Sequence, residues 1–387
     1  MGKNERSGSY MVDVASSREY MYQNAAYRDA FTRWRNDRKN KFGYRFVHDS
    51  REHTYIDGGG FADKQLITAE TGALHTCLQF LGALMLLYFA VEQILFFVLK
   101  ANFERVHIDR VYYSMRNIDN IAPSKEVYLF CSMRILLLLI PLFIMVQYVK
   151  LPRDVGIPNS KTDKRVLLYA FTITMVMSVC FRFLDYGLTH LLRTARIDVT
   201  FYTYLQTDTE QAQIFYFITQ LIVCPVLTEI LFRGYLLQMF RQFGDNFAIF
   251  ISSLAAALVY HDISKVMYVF SLGVVLGIIT VRNGNIYPTI FIQLAMTNIT
   301  MLLNSLAGEV TNLFNRLTEL TACFLILAVF FPLMLITRFR LETPFRLRHD
   351  NTELSFAQKL RQLLNSAWTV IWLIVMLLAT ILSVTFI

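Results

Sequence analysis

An acid and a base inside an otherwise apolar stretch are the most informative residues of the chain. Glu229 and Arg233 lie within residues 211–237, in the string Thr-Glu-Ile-Leu-Phe-Arg-Gly-Tyr. On insertion scales an ionised group at the centre of a membrane helix costs about 2.5–3.5 kcal/mol, so such residues point to a site or to a structural ion pair. Four-residue spacing places both side chains on one helix face, in the favourable order with the acid first. We expect them to neutralise each other.

Two further polar residues occur at similar depth. His261 follows the apolar residues 254–260, and Asn298 lies within another apolar run. Between them, Gly273-x-x-x-Gly277 forms a small-residue face of the kind that lets two membrane helices approach closely. We therefore expect the polar residues to converge in a compact helical core, where a buried acid, base and histidine can serve packing, ion passage or hydrolysis.

The composition identifies what surrounds these residues. Hydrophobic residues make up 55% of the 387-residue chain and charged residues only 17%, which excludes an ordinary soluble domain. We predict an all-α polytopic membrane protein with eight or nine spans, since about 18–20 apolar residues cross a bilayer as helix. The apolar runs are 74–99, 127–149, 166–185, 211–232, 246–263, 266–281, 285–307, 320–337 and 366–387.

The distribution of Lys and Arg predicts the orientation. The N-terminal segment and the loops 150–165 and 338–361 are basic, whereas 183–213 carries more acids than bases. With nine spans, the positive-inside bias puts the N-terminus in the cytoplasm and the C-terminus outside. The loop 100–126 contradicts this bias, because it holds five basic residues on the side assigned to the exterior. The net charge of +8 is interpreted as topology and lipid attraction rather than nucleic-acid binding.

The first seventy residues differ in kind from the rest. They are polar, dense in both charge signs and rich in Tyr, and residues 28–45 mix basic with aromatic side chains. Such a mixture suits a lipid headgroup surface or an acidic partner. A cytoplasmic tail kept solvated by its charges is the alternative, and the sequence does not choose between them.

Three strings together resemble the CAAX-prenyl-protease and bacteriocin-processing (CPBP) family of intramembrane proteases, which includes the lysostaphin-resistance protein A-like proteins. They are Thr228-Glu-Ile-Leu-Phe-Arg233, Ala257-Leu-Val-Tyr-His261 and Leu294-Ala-Met-Thr-Asn298. The resemblance implies a CPBP-type helical core at 165–305. The chain then divides into a tail (1–70), two additional transmembrane helices with their loops (71–164), this core, and C-terminal transmembrane helices with a basic cytoplasmic loop (306–387).

The resemblance also assigns roles to single residues. The family motifs read Glu-Glu-x-x-x-Arg, Phe-x-x-x-His and His-x-x-x-Asn; the first Glu and the second-motif His activate water, and the third-motif His and Asn stabilise the oxyanion. Glu229, Arg233, His261 and Asn298 match the second Glu, the Arg, the second-motif His and the Asn. They are therefore the candidate catalytic residues.

The chain departs from these motifs at critical positions. Thr228 replaces the first Glu and Leu294 the third-motif His, and Ala257 replaces the Phe. Threonine has no basic form near neutral pH, and leucine offers an oxyanion no donor. Glu229 acting as the base, or Gln293 acting as the donor, would be needed to restore catalysis. Each residue also has a structural interpretation without catalysis. Glu229 and Arg233 can form an ion pair that fixes helix packing, His261 can lie at the membrane interface, and Asn298 can form an interhelical hydrogen bond.

Three functions follow as hypotheses. The favoured one is a catalytically impaired CPBP-like protein that binds or regulates a membrane or cell-envelope partner, as degenerate members of the family do. The alternatives are an active intramembrane endopeptidase using Glu229 and His261, and a transporter using Glu92, Glu229 and Arg233. No motif for a metal or nucleotide cofactor occurs, so we expect none. The resemblance and the basic loops favour a bacterial plasma membrane.

Overall fold

The computed structural model describes most of the chain and leaves gaps mainly near the N-terminus and in loops. The described residues are 10–12, 25–44, 46–48, 60–102, 106–108, 115–117, 121–194, 197–198, 206–261, 263–307, 313–341, 347, 352–382 and 385–386.

Helices account for most of these residues, which confirms the predicted all-α class. Within the described ranges they are α1 (Ala25–Asn36), α2 (Gly60–Asn102), α3 (Ser124–Val149), α4 (Arg153–Gly156), α5 (Lys164–Thr194), α6 (Glu210–Phe243), α7 (Asp245–Leu258), α8 (Ile263–Asn283), α9 (Tyr287–Ala307), α10 (Leu313–Phe339), α11 (Phe356–Asn365) and α12 (Ala367–Leu382).

The segments outside the helices contain short strands of two or three residues, which pair with one another. In the described part of the chain, β1 (Tyr10–Val12) pairs with β2 (Phe46–His48) and β3 (Val106–Ile108) with β4 (Met115–Asn117), both antiparallel. β5 (Ile121–Ala122) runs parallel to β7 (Gln206–Thr207), and β6 (Ile197–Asp198) runs antiparallel to β8 (Thr385–Phe386). These pairs are too short to form a sheet and leave the fold helical.

Seven of the described helices are long and apolar enough to cross a membrane, or eight if α11 and α12, which bend by 81°, form one broken span. The short apolar helix α7 has 14 residues, about 21 Å at 1.5 Å per residue, less than the roughly 30 Å hydrocarbon core. With α7 and the bent pair, each of the nine predicted apolar runs contains a helix. The polytopic membrane fold is therefore confirmed.

The central helix α6 is irregular. Thr219–Val223 and Ile230–Leu236 are π-helical, on either side of a short α-helical stretch. Pro225 lies in that stretch and has no N–H to donate to a backbone carbonyl of the preceding turn. This missing hydrogen bond accounts for the first π-helical turn. Widened turns of this kind are frequent at functional sites, and the second one contains Arg233.

The N-terminal helix α1 docks on the helical body. The Tyr27 hydroxyl donates to Gln238 Oε1 at 2.5 Å and accepts from Arg241 Nη1 at 2.8 Å. The Trp34 indole donates to the carbonyl of Val149, the last residue of α3, at 2.9 Å. Residues 25–44 therefore belong to the packed body, and four of their five aromatic side chains are buried in it. The expected contact of this segment with lipid or an acidic partner stays a prediction.

Two polar side chains of this docked segment show the effect of burial. Arg35 is 1% exposed, and burial lowers its pKa to about 10, so that it remains charged at neutral pH. Burial also raises the pKa of Tyr27, although Arg241 opposes this shift, so the phenol stays neutral and can donate its proton. The Tyr27 phenol thus acts as a fixed hydrogen-bonding partner between α1 and α6.

Three basic segments meet at one end of the molecule, which we call the basic end. The segment 25–44 reaches α6 through the Tyr44 amide, 2.7 Å from Gln242 Oε1. The loop 150–165 receives a hydrogen bond on the Ser160 carbonyl from Asn285 Nδ2 at 2.6 Å. In the C-terminal part, Lys359 donates to the Phe243 carbonyl at 2.5 Å. Segments predicted to share the cytoplasmic side therefore share one end.

The opposite end holds the β5–β7 and β6–β8 strand pairs. There α3 and α6 begin side by side, with Ser124 and Thr209 hydroxyls 2.6 Å apart, and the C-terminal β8 pairs with residues that follow α5. Within the described residues, the segment 25–44 and β8 thus lie at opposite ends, and the helices long and apolar enough to cross a membrane number seven or eight. The loop 100–126, which contradicted the charge bias, lies largely outside the described residues.

The first and last membrane helices pack closely. A Cβ added to Gly82 of α2 would lie 2.3 Å from the Trp368 carbonyl carbon and 2.4 Å from the Thr369 nitrogen. Nearer the basic end, Glu70 Oε2 accepts the amides of Glu353 and Leu354 at 2.9 and 3.1 Å. Only a residue without a side chain permits this approach, so α2 and α12 are held together at Gly82.

Gly82→Ala should lower the stability of the bundle by about 1–3 kcal/mol, because the added methyl group collides with rigid backbone. Gly72→Ala is the matched control, since a Cβ at this position of the same helix has nothing within 4 Å. Thermal unfolding of the purified proteins in detergent, followed by circular dichroism, measures both changes. Equal transition temperatures for the two variants would contradict the close packing.

Trp34→Ala should destabilise the protein by about 3–5 kcal/mol, because it removes a buried ring together with its hydrogen bond. Trp368→Ala is the control of the same chemistry, since that side chain is 48% exposed. Denaturant midpoints in detergent and limited proteolysis of residues 25–44 report the effect. If Trp34→Ala behaved like Trp368→Ala, the docking of α1 would contribute nothing to stability.

Candidate functional site

The ion pair predicted from the sequence is formed in α6. Arg233 Nη1 lies 3.1 Å from Glu229 Oε1, one helical turn away, and the residues are 2% and 0% exposed. In this low-dielectric setting the charges stabilise each other, and removing one partner from such a pair costs about 3–5 kcal/mol. The pair thereby fixes the position of Arg233 within the second π-helical stretch.

Gly273 creates the space for the Arg233 head group. A Cβ on Gly273 would meet Arg233 Nη2 at 2.8 Å and the Ser253 side chain at 3.0 Å, and one on Gly277 would meet Ile249 at 3.0 Å. Both glycines of α8 thus face α7, which confirms the predicted close approach. The guanidinium of α6 lies against this glycine-lined crossing of α7 and α8.

Thr228 stands where the resemblance to the protease motif predicts the water-activating Glu. Its hydroxyl donates to the Cys224 carbonyl one turn earlier, at 2.8 Å. The side chain also lines the central cavity, whereas Glu229 does not. The residue that faces the cavity at this point is therefore a hydroxyl engaged with its own helix, and the neighbouring carboxylate faces the protein interior.

His261 follows the end of α7 in a left-handed backbone conformation, with φ of 48°. Its Nε2 lies 3.0 Å from Glu92 Oε2 of α2, and both residues are buried. The Phe89 ring packs edge-on against the imidazole with 5.6 Å between centroids. The sequence analysis named Glu92 only as a transporter residue and did not pair it with His261, although an acid and a histidine at membrane depth are natural partners.

Asn298 points away from the other family-matched residues. It is exposed, and its Nδ2 donates to the Leu294 carbonyl of its own helix at 2.7 Å. Gln293, which precedes Leu294, lines the central cavity instead. The family-matched residues are thus divided among the Glu229–Arg233 pair, the Glu92–His261 pair and an outward-facing amide, and their catalytic roles stay predictions.

The central cavity has a volume of about 400 Å³. Side chains of α3, α5, α6, α8 and α9 form most of its wall, together with Tyr88 and the end of α7. Apolar groups such as Leu137, Leu221 and Leu272 cover much of it. The charged residues of the wall are Arg134, Arg182, Asp185, Arg233 and Lys265. The cavity is large enough for part of a lipid or a peptide and presents mainly positive charge.

A second polar cluster beside the cavity was not found from the sequence. Arg182 of α5 forms an ion pair with the buried Glu319 of α10, and its Nη1 donates to Asn304 Oδ1 of α9 at 2.7 Å. The Tyr186 hydroxyl also bonds to Glu319. This cluster ties three helices together. The sequence signal that could have predicted this pair is the presence of Arg182 within the predicted span 166–185 and of Glu319 just before the span 320–337.

Metal binding finds no support in the side-chain geometry. Across the described residues, no group of three or more His, Cys, Asp and Glu side chains gathers closely enough to hold a metal ion. The expectation that the protein works without a metal or organic cofactor stays a prediction.

Comparison with known proteins identifies part of the chain. A family model described as type II CAAX prenyl endopeptidase Rce1-like matches residues 210–299. This segment runs from the start of α6 into α9 and contains Glu229, Arg233, His261 and Asn298, so the predicted resemblance is confirmed over it. No curated protein and no solved structure matches the chain. Glu92, Arg134 and Arg182 contribute from outside the matched segment.

Glu229→Leu should destabilise the protein by about 3–5 kcal/mol, since it leaves Arg233 as an unneutralised buried charge. The double variant Glu229→Leu/Arg233→Met should recover most of that loss, because both charges are gone. Unfolding in detergent measures the cycle, with Ile222→Leu at a 51% exposed position of α6 as the control. If the double variant lost as much stability as Glu229→Leu and Arg233→Met lose together, direct coupling of the two side chains would be excluded.

Proposed function

We propose that the Rce1-like domain of this integral membrane protein binds and regulates a membrane or cell-envelope partner and does not cleave peptides. The match at 210–299 gives the protein a CAAX-protease-like segment in a polytopic membrane fold. The proposal concerns what that fold does in this chain, where Thr228, Ala257 and Leu294 differ from the protease pattern.

The observation that carries the proposal is the state of Thr228. Its hydroxyl is bonded to the Cys224 carbonyl, and the adjacent Glu229 is fully buried against Arg233. Water activation requires a base within hydrogen-bonding reach of water at the substrate. Among the described wall residues, Asp185 of α5 is the only acid, so α6 itself presents no carboxylate to the cavity.

The oxyanion donors expected from the family are also missing from the cavity. Leu294 has no donor, and the Asn298 amide is exposed and bonded to its own helix. Loss of one oxyanion donor typically reduces the rate about 100- to 1000-fold, and loss of a general base about 100- to 10,000-fold. Together these losses favour a binding role over peptide hydrolysis.

A second candidate function, intramembrane endopeptidase, is favoured by the Glu92–His261 pair. The 3.0 Å separation lets the carboxylate orient the imidazole or share its proton, as in acid–histidine pairs that activate water. Against this, neither residue belongs to the cavity wall, whereas their neighbours Tyr88 and Tyr260 do. An active enzyme would therefore need this wall to open before the pair could reach a substrate.

The cellular setting is part of the proposal. We assign the basic end to the cytoplasm of a bacterial cell and the opposite end, with the C-terminus, to the exterior. The convergence of 25–44, 150–165 and the residues around Lys359 at one end supports this assignment, since basic loops are retained on the cytoplasmic side.

The purified protein should not cleave short peptides, with or without a C-terminal prenylated cysteine, above the background of its His261→Gln variant. Product analysis by mass spectrometry measures this directly. Co-purification from native membranes should recover a stoichiometric protein partner with both wild type and His261→Gln. Cleavage by the wild type that disappears in Glu92→Gln and in His261→Gln would replace the binding role with the endopeptidase.

A further inference from the structure

We infer that two copies of the chain associate in the membrane through the outer face of α9, with the two Asn298 side chains meeting at the centre of the contact. The inference goes beyond the proposed function, because it concerns an interaction between copies of this chain and not the binding of a different protein. It rests on a polar side chain at the outside of a membrane helix and on the spacing of the residues around it.

Asn298 places an amide in contact with the hydrocarbon. It lies about 16 Å from the start of the 21-residue helix α9 at 1.5 Å per residue, close to the middle of a hydrocarbon core about 30 Å thick. The side chain is exposed, and its bond to the Leu294 carbonyl uses one of its two N–H groups. The second N–H and Oδ1 make no hydrogen bond within the part of the chain that the structure describes. Lipid tails provide neither a donor nor an acceptor, so these groups favour a protein partner.

The residues on the same side of α9 form a continuous outer stripe. All but the half-buried Leu294 are exposed, and the stripe consists of Tyr287, Phe291, Leu294, Asn298, Leu302 and Ser305. Steps of three and four residues keep these side chains in line along the helix. Phe291, Asn298 and Ser305 recur every seven residues, the spacing at which two parallel helices pack along a common seam.

The outer stripe faces away from the bundle. Gln293 and Thr297, which lie on the other side of α9, line the central cavity instead. At the far end of the stripe, the small side chain of Ser305 allows another helix to approach, and its hydroxyl already donates to the Leu302 carbonyl at 2.7 Å. The polar group of the stripe that still needs a partner is therefore the amide of Asn298.

A second copy of the chain complements this amide. Two copies insert into the membrane in the same orientation, so their Asn298 side chains lie at the same depth. A carboxamide contains both donors and an acceptor, so each Asn298 can donate to the other across a two-fold axis along the membrane normal. A single asparagine in the seam of a parallel coiled coil specifies pairing and register in the same way. A different protein would match the stripe only if it carried a polar residue at this depth.

Asn298→Leu should weaken self-association about three- to tenfold, because the hydrogen bonds between the two helices are lost. Asn298→Gln keeps the amide and should remain close to wild type. Thr321→Leu on α10 is the matched control, since the exposed Thr321 hydroxyl already donates to the Leu317 carbonyl at 2.7 Å and has no second N–H or O–H. Single-molecule photobleaching of the labelled full-length protein in liposomes, over a range of protein-to-lipid ratios, measures the fraction of dimer.

Cysteine crosslinking tests the geometry of the contact. The background variant is Cys180→Ser, which removes the exposed native thiol and leaves four buried ones. In this background, Asn298→Cys should give a disulfide-linked dimer with a mild oxidant. Leu325→Cys, at a 63% exposed position of α10, should not.

Three results would overturn the inference. They are a wild type that stays monomeric at the highest protein-to-lipid ratio, a folded Asn298→Leu variant that dimerises as strongly as wild type, and crosslinking of Leu325→Cys in preference to Asn298→Cys. None of them depends on peptide cleavage or on a different binding partner, so the inference can fail while the proposed function stands.

Discussion

The whole structure depends on the requirement that charged groups at membrane depth meet a partner within the protein. Glu229 and Arg233 satisfy it within one helix, Glu92 and His261 between α2 and the end of α7, and Arg182 and Glu319 between α5 and α10. Because an unpaired charge in hydrocarbon is expensive, the two pairs that join different helices also fix the relative position of those helices. Of these three pairs, Glu92–His261 connects the matched segment to a helix outside it, whereas Arg182 and Glu319 join α5 and α10, which both lie outside residues 210–299.

The same requirement explains the shape of α6. The helix widens where Arg233 sits, and the neighbouring helix α8 has Gly273 at the point where its head group arrives. If α8 carried a residue with a side chain in place of Gly273, its Cβ would collide with the Arg233 guanidinium. The cavity lies beside this arrangement, and the ion pairing determines which side chains line it. Glu229 faces the protein interior and pairs with Arg233, whereas Thr228 lines the cavity.

Much of the fold could be predicted because its signals are local. The apolar runs predicted the membrane helices, and the i, i+4 spacing predicted the Glu229–Arg233 pair. Gly273 and Gly277 predicted a close helix contact, although the sequence did not identify α7 as the neighbour. The contacts between distant parts of the chain could not be found this way. The Glu92–His261 pair spans 169 residues and the Tyr27–Gln238 bond spans 211, and no spacing rule connects residues so far apart. The basic and aromatic composition of 25–44 was equally compatible with lipid, partner or protein as its neighbour.

The packing of α2 against α12 has a consequence for biosynthesis. Glu70, near the start of the first membrane helix, finds its backbone partner at Glu353, which is 283 positions later in the chain. Gly82 of the same helix packs against Trp368, which is also synthesised much later. The helix α2 therefore remains without its final neighbour until α12 has been synthesised, and a product truncated before α11 would expose in the bilayer the face that α12 normally covers. The contact between α2 and α12 therefore forms only after the intervening membrane helices have been synthesised.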